Sequence, residues 1–321
     1  MTDHVTLVEV APRDGLQNEK MRVPAATKVE LIQRLTACGL PVVEATSFVS
    51  PRWVPQLADA AEVLAELGLA GEDRRPASPP PPCAGVSAAS QPAPGMARYP
   101  VLVPNRQGLE RAMAAGAREI AVFLAASETF SQHNTHCSIE QSLQRLTPVV
   151  AAARANGLRT RGYISCVLGC PYEGVIDPAV VASLAEALAT AGCEEISLGD
   201  TIGVGTAGQA RELILRVSAG VPLARLAVHF HDTYGQALAN ILASLEIGVR
   251  TVDASVAGLG GCPYAPGASG NVATEDVVYL LNGLGMHSGV DIDALARTGQ
   301  WISQRLGRDN QSRAGRALYP R

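Results

Sequence analysis

Short β-branched runs alternate with longer helical patterns along almost the whole chain, and this rhythm excludes most folds. Strand-like runs fall at 5–10, 41–45, 99–103, 119–124, 158–166, 195–198, 225–230 and 250–254. Helical patterns lie between them at 24–38, 54–67, 107–115, 139–156, 178–191, 207–219 and 234–247, several of them stopped by a glycine such as Gly39, Gly157, Gly192 or Gly248. Parallel strands joined by right-handed helical crossovers close on themselves when eight such units follow one another. The expected fold class is therefore α/β, a (β/α)8 TIM barrel, with additional C-terminal helices at 274–282 and 291–306. An open doubly wound sheet is the alternative. It is disfavoured because no Gly-x-Gly-x-x-Gly follows the first strand, where a dinucleotide fold places it.

The 321 residues suit one barrel domain, 1–321, which typically takes roughly 250 residues, plus extras. One such extra is the stretch 68–96, dominated by Pro, Ala, Ser and Gly and including Pro79 to Pro82, which reads as a disordered surface insertion. Residues 307–321 are polar and are expected to form a loose tail. A net charge of −4 supplies no general field for nucleic acid or an anionic membrane, so an anionic ligand must be held by local cations. The seven cysteines form no C-x-x-C pair, which argues against a zinc knuckle or a disulfide framework and for a reducing compartment. No leader segment and no apolar run of membrane-spanning length is visible, and a cytoplasmic homodimer is expected.

A barrel gathers its working residues at the C-terminal ends of its strands. There the sequence places Arg13 and Asp14, then Glu44 with Ser47 beyond it, Ser165 and Cys166, Asp200, and His229 with His231. Asp253 and Ser255 lead on into a loop at 258–276 that holds five glycines, two prolines and the lone thiol of Cys262. Two histidines two residues apart on a strand project from one face and can share an ion. With the Asp14 carboxylate they suit six-coordinate Mg²⁺ or Mn²⁺ better than closed tetrahedral zinc. Arg13 is either a salt bridge locking the barrel mouth or a fixed cation for a developing anion. Glu44 is equally open, between a structural partner for Arg13 and a general acid/base. Asp200 either bonds the backbone of its own Asp-Thr-Ile-Gly turn, the reading its spacing favours, or supports the histidines.

These residues sit in longer motifs: Val-Glu-Val-Ala-Pro-Arg-Asp-Gly-Leu-Gln-Asn-Glu at 8–19, Glu-Ala-Thr-Ser-Phe-Val-Ser-Pro at 44–51, Gly-Cys-Pro-Tyr-Glu-Gly at 169–174, Ser-Leu-Gly-Asp-Thr-Ile-Gly-Val-Gly at 197–205 and His-Phe-His-Asp-Thr-Tyr-Gly-Gln-Ala at 229–237. Together with the loop at 258–276, they make the chain resemble the hydroxymethylglutaryl-CoA lyase family over 5–306, apart from the Pro-rich stretch. The resemblance implies a divalent-metal-dependent carbon-carbon lyase that cleaves 3-hydroxy-3-methylglutaryl-CoA to acetyl-CoA and acetoacetate, as in leucine degradation and ketone-body metabolism. It implies Asp14, His229, His231 and Asn271 as metal ligands. Arg13 is similar to the family's enolate-stabilising arginine, Glu44 to its active-site acid and Cys262 to its catalytic thiol on a mobile loop. His229 and Asp200 join the expected catalytic set, and Arg13, Gln17 and Ser47 the substrate-binding set. A lyase for a longer 3-hydroxy-3-alkylglutaryl-CoA, or a Claisen-type synthase of the same superfamily, is the alternative function. A non-catalytic barrel used as a scaffold would be the alternative from another class.

Overall fold

The computed structural model describes residues 3–69, 97–261 and 270–320. Nine parallel strands form one sheet in the order β2-β1-β9-β8-β7-β6-β5-β4-β3. They are β1 (Thr6–Glu9), β2 (Val42–Val43), β3 (Thr46–Ser47), β4 (Val101–Leu102), β5 (Glu119–Ala125), β6 (Arg159–Ser165), β7 (Glu195–Asp200), β8 (Leu226–Phe230) and β9 (Thr251–Ala254). The two ends of that order, β2 and β3, are separated in sequence only by Glu44 and Ala45. They are the halves of one interrupted stave. Its lower half pairs with β1, Val8 opposite Val42, and its upper half pairs with β4, Thr46 opposite Val101. Across the break the Glu44 amide donates to Glu9 (2.8 Å) and the Ala45 amide to Pro100 (3.0 Å), so the stave bonds to both neighbours and the barrel closes. The eight expected strands are the eight staves.

Alternation along each strand divides the interior into two environments. In β5, Ile120, Val122 and Leu124 join the main core between sheet and helices, while Ala121 packs with Leu102 and Tyr163 in a separate cluster. The helices covering the sheet include α1 (Ala25–Ala37), α2 (Ala60–Glu66), α3 (Arg106–Ala114), α5 (Ile139–Ala155), α6 (Pro178–Ala191), α7 (Ala207–Ser218) and α8 (Ala237–Ile247). The second helical pattern, 54–67, is broken: Pro55–Leu57 makes a 3-10 turn before α2 begins. A helix the periodicity does not announce, α4 (Glu128–Thr135), starts where the Ser127 hydroxyl caps the Phe130 amide at 3.0 Å. Its polar sequence hides it, because only Phe130 and Ser131 are buried.

The chain continues through α9 (Thr274–Gly283) and α10 (Ile292–Leu306) into α11 (Arg313–Leu318). This corrects the expectation of a loose tail over 307–321. Ser312 is fully buried, its hydroxyl donates to Asp276 at 2.7 Å, and the Ala314 amide donates to the same oxygen at 2.7 Å. The Gln311 amide donates to the Ala257 carbonyl at 3.0 Å, and Arg308 pairs with Glu19 at 2.5 Å. Polar composition did mean hydrogen bonding here, but to the barrel rather than to water. Most of the Pro-rich insertion, 70–96, lies outside the described residues, as do Cys262 and the rest of the loop 262–269.

Candidate active site

Strand β1 ends in a single turn of π-helix, Ala11–Gly15, where the Asp14 and Gly15 amides both donate to the Val10 carbonyl, at 2.7 and 3.2 Å. Such turns are uncommon and cluster at functional sites. The turn is held from below by Glu9, whose Oε1 accepts from the Ala11 amide (3.0 Å) and the Val256 amide (2.9 Å) and whose Oε2 accepts from the Thr274 hydroxyl (2.7 Å). Gly15 is required by close approach, since a Cβ there would lie 2.9 Å from Leu259 Cβ and from Ser255 Oγ. The turn thereby aims Arg13 and Asp14 into the mouth of the barrel.

Arg13 lies between two carboxylates, with Nε 2.6 Å from Glu44 and Nη1 2.5 Å from Asp14. Its guanidinium also sits 5.5 Å from the centre of the Tyr163 ring. Burial by itself would lower the Arg13 pKa, but Glu44 and Asp14 outweigh it and hold the guanidinium charged. Burial likewise works to raise the Asp14 carboxyl; Arg13, His229, His231 and the Asn271 amide overcome it and hold the group at about 2. For Glu44 burial wins, and its pKa is raised despite Arg13. Its second oxygen, Oε1, is buried without a hydrogen-bond partner. The structure thus shows Glu44 as a partner of Arg13 and leaves its other oxygen uncommitted.

His229 and His231 project from the end of β8 with ring centres 5.5 Å apart. One ligand atom each of Asp14, His229 and His231 falls within 4.8 Å of the others, which is the spacing of groups that share an ion. The donor set passes three further tests of fit. Asp14 is ionised, His231 is pushed down to about 4 by burial and by His229 and so is neutral at pH 7, and its Nδ1 is a buried nitrogen with no hydrogen-bond partner. Deprotonated oxygen and neutral nitrogen donors are what a divalent cation needs. Asn271 pairs with His231 in an isolated bridge and donates from Nδ2 to Asp14 at 2.8 Å and to the Leu259 carbonyl at 3.2 Å, so the far end of the glycine-rich loop reaches the same cluster. Gln17 donates to Asp14 at 2.9 Å.

Two of the expected site residues are otherwise engaged. The Asp200 oxygens accept from the Gly205 amide (2.8 Å) and the Val204 amide (3.3 Å), which is the turn-forming alternative; burial raises this carboxyl to about 6. The Ser47 hydroxyl is buried, donating to the Leu102 carbonyl at 3.4 Å and accepting from the Val49 amide at 3.2 Å. Three residues given no role in the sequence reading belong here. Asp253 accepts from Ser197 (2.9 Å) and from Arg161 (2.5 Å) and faces His229 Nδ1 at 3.2 Å, and Arg161 also donates to the Tyr163 hydroxyl at 2.9 Å. Burial pushes the Asp253 carboxyl up, but Arg161 and His229 bring it below its ordinary value. The signal for Arg161 and Tyr163 was present in the sequence: Arg159, Arg161, Tyr163 and Ser165 alternate along one face of a strand whose other face is small or apolar.

Comparison with known proteins places the chain in a family. A mitochondrial hydroxymethylglutaryl-CoA lyase of Arabidopsis thaliana is 55% identical over 99% of the chain, which spans 63% of that relative's length. A 3-hydroxy-3-isohexenylglutaryl-CoA/hydroxymethylglutaryl-CoA lyase of Pseudomonas aeruginosa is 56% identical over 98% of the chain and 97% of its own length. The crystal structure of a hydroxymethylglutaryl-CoA lyase from Pseudomonas aeruginosa superimposes with a TM-score of 0.88 at 55% identity, covering 99% of this chain and 98% of that one. The model of the HMGL-like family matches residues 4–302, and the chain, with its closed barrel and its Arg13–Asp14–His229–His231 mouth, belongs to that family.

Proposed function

We propose that this chain is a hydroxymethylglutaryl-CoA lyase that cleaves 3-hydroxy-3-methylglutaryl-CoA to acetyl-CoA and acetoacetate, with Mg²⁺ or Mn²⁺ held by Asp14, His229, His231 and Asn271. The observation that carries the reading is the convergence of a charged, buried Arg13 with a carboxylate and two histidines within 4.8 Å of one another. Oxygen and nitrogen donors without thiolate favour a hard cation. When bound, such a cation supplies Lewis acidity toward a substrate hydroxyl and a template that orients it.

The reaction breaks the bond between C2 and C3. The proton of the C3 hydroxyl leaves, the C3–O bond becomes the ketone of acetoacetate, and the bonding electrons pass to C2 and the thioester oxygen as an acetyl-CoA enolate. Arg13 is a fixed, desolvated cation that can stabilise the enolate oxygen without reorganising. Glu44, raised by burial and with Oε1 uncommitted, is suited to hold the hydroxyl proton. A proton must then reach C2, and we assign it to Cys262, carried by the loop that begins after Leu259 and returns at Gly270. Gln17 orients Asp14. Ser47 and Asp200 shape the mouth, Asp200 by fixing the turn after β7.

The test is an acetoacetate-release assay on 3-hydroxy-3-methylglutaryl-CoA and on analogues with a longer alkyl group at C3, with and without Mg²⁺ or Mn²⁺. Cleavage dependent on added metal is expected, fastest with the methyl substrate. Absence of cleavage of every analogue with metal present would remove the lyase assignment, and faster cleavage of a longer analogue would move the specificity.

A further inference from the structure

We infer that Asp253, held in place by Arg161 and Ser197, is a positioning residue that fixes the His229 ring with its proton on Nδ1 and its lone pair on Nε2, turned toward Asp14. The inference deepens the proposed metal site and rests on His229 being one of its ligands.

The geometry is a chain of paired groups running up the inside of the barrel, in which Arg161 Nε meets Glu195 as an ion pair rather than a hydrogen bond. Arg161, in the middle of β6, is almost fully buried. Its Nε lies 2.7 Å from Glu195, Nη1 donates to the Tyr163 hydroxyl at 2.9 Å, and Nη2 donates to Asp253 Oδ1 at 2.5 Å. The other Asp253 oxygen, Oδ2, accepts from the Ser197 hydroxyl at 2.9 Å and faces His229 Nδ1 at 3.2 Å. Strand pairing sets this arrangement, with His229 opposite Asp253 in adjacent strands and Ser197 one strand further round. An ionised carboxylate only accepts hydrogen bonds, so the nitrogen facing it must be the one that carries the proton. Nε2 is then the nitrogen free to ligate, and it points to Asp14 Oδ2, 3.9 Å away. The Tyr163 ring, edge-on to His229 at 6.0 Å, flanks the imidazole from the neighbouring side. Hydrogen bonds of this kind orient a ligating histidine and raise its basicity, and losing them typically weakens metal binding about 10- to 100-fold.

Asp253→Asn separates positioning from mere packing, because it keeps the size of the side chain. Arg161 can only donate, so it takes the amide oxygen and leaves the amide NH₂ facing His229. The ring proton must then move to Nε2, which blocks the ligating lone pair. The test records ring ¹⁵N–¹H correlation spectra of the metal-free protein, with His229 assigned by its absence in His229→Gln, and measures Mn²⁺ dissociation constants by electron paramagnetic resonance. The expected result is an Nδ1–H tautomer in the wild type, an Nε2–H tautomer in Asp253→Asn, and a dissociation constant raised about 10- to 100-fold in the variant. An Nε2–H tautomer in the metal-free wild type overturns the inference, and needs no variant to fold. Unchanged Mn²⁺ affinity in folded Asp253→Asn overturns it while leaving the ligand role of His229 intact, whereas a wild type that fails to bind Mn²⁺ overturns both.

Discussion

Arg13 carries its charge between Glu44 at 2.6 Å and Asp14 at 2.5 Å, which is the salt bridge that its position in the sequence allows, and in the proposed reaction the same charge faces the enolate. Arg13→Gln removes the cation and leaves Glu44 buried without its partner. Turnover is expected to fall about 10²- to 10³-fold, on the scale of losing a principal electrostatic stabiliser. His231→Ala removes a ligand from the three-residue cluster and should cost a comparable factor. Steady-state kinetics at saturating metal, alongside circular dichroism to verify folding, reads both, and near-normal rates would remove either residue from the mechanism. At this scale much was legible. A carboxylate after the first strand and two histidines at alternate positions of another announce a cluster of donors, because strand geometry puts alternate side chains on one face, and the structure brings the three together. Arg161 and Asp253 were not assigned, because their roles exist only through each other. They are 92 residues apart and meet at 2.5 Å across the inside of the barrel.

The element with the least expected role is α9, whose first turn anchors the root of the glycine-rich loop. Both Glu275 oxygens accept from the Ala257 amide, at 3.0 and 2.9 Å, where Ala257 takes a left-handed backbone conformation (φ 58°) that residues other than glycine rarely adopt. Gly299 of α10 makes room for this carboxyl: a Cβ there would lie 2.2 Å from Glu275 Oε1. Burial pushes the Glu275 pKa up to about 8. Folding therefore keeps the group protonated while the unfolded chain, near 4.5, ionises. Between those values the folded state binds more protons, so this contribution to stability is complete below about pH 4.5 and is lost as the pH rises toward 8. From pH 6.5 to 8 the metal-free wild type should lose stability with a slope from this group of up to about 1.4 kcal/mol per pH unit. Urea unfolding across that range measures it. Glu275→Gln should flatten the dependence, and an unchanged slope would mean that Glu275 is ionised in the folded protein. The helix itself was readable from its period, whereas the burial of its first acids, Glu275 and Asp276, was not, because acids in a first helical turn are ordinarily explained by the helix dipole in water.

At the scale of the whole molecule, the Pro-rich stretch lies in sequence between α2 and β4, a helix and the strand that follows it, and the candidate site lies at the opposite, C-terminal ends of the strands. The described residues on either side of it, Leu69 and Ala97, line one cavity of about 180 Å³ together with Arg98, Arg118 and Arg159. Deleting 70–95 is expected to leave kcat within about twofold, since catalytic terms act over contact distances; loss of soluble protein would instead assign the segment a part in folding. No helix among the described residues is long and apolar enough to cross a membrane. The sequence by itself determined the barrel, because alternation of period 2 and period 3.6 in eight successive units leaves few other ways to bury both kinds of apolar face. It also determined the kinds of donor offered at the mouth, because carboxylate oxygen and imidazole nitrogen are chemical properties of the residues. Only the tertiary structure decided how those groups are held. Closure through the divided stave β2–β3, the buried pairing of Arg161 with Asp253, the docking of α11 on Asp276 and the uncommitted oxygen of Glu44 all depend on which strands become neighbours, and that is set by contacts between residues far apart in the chain.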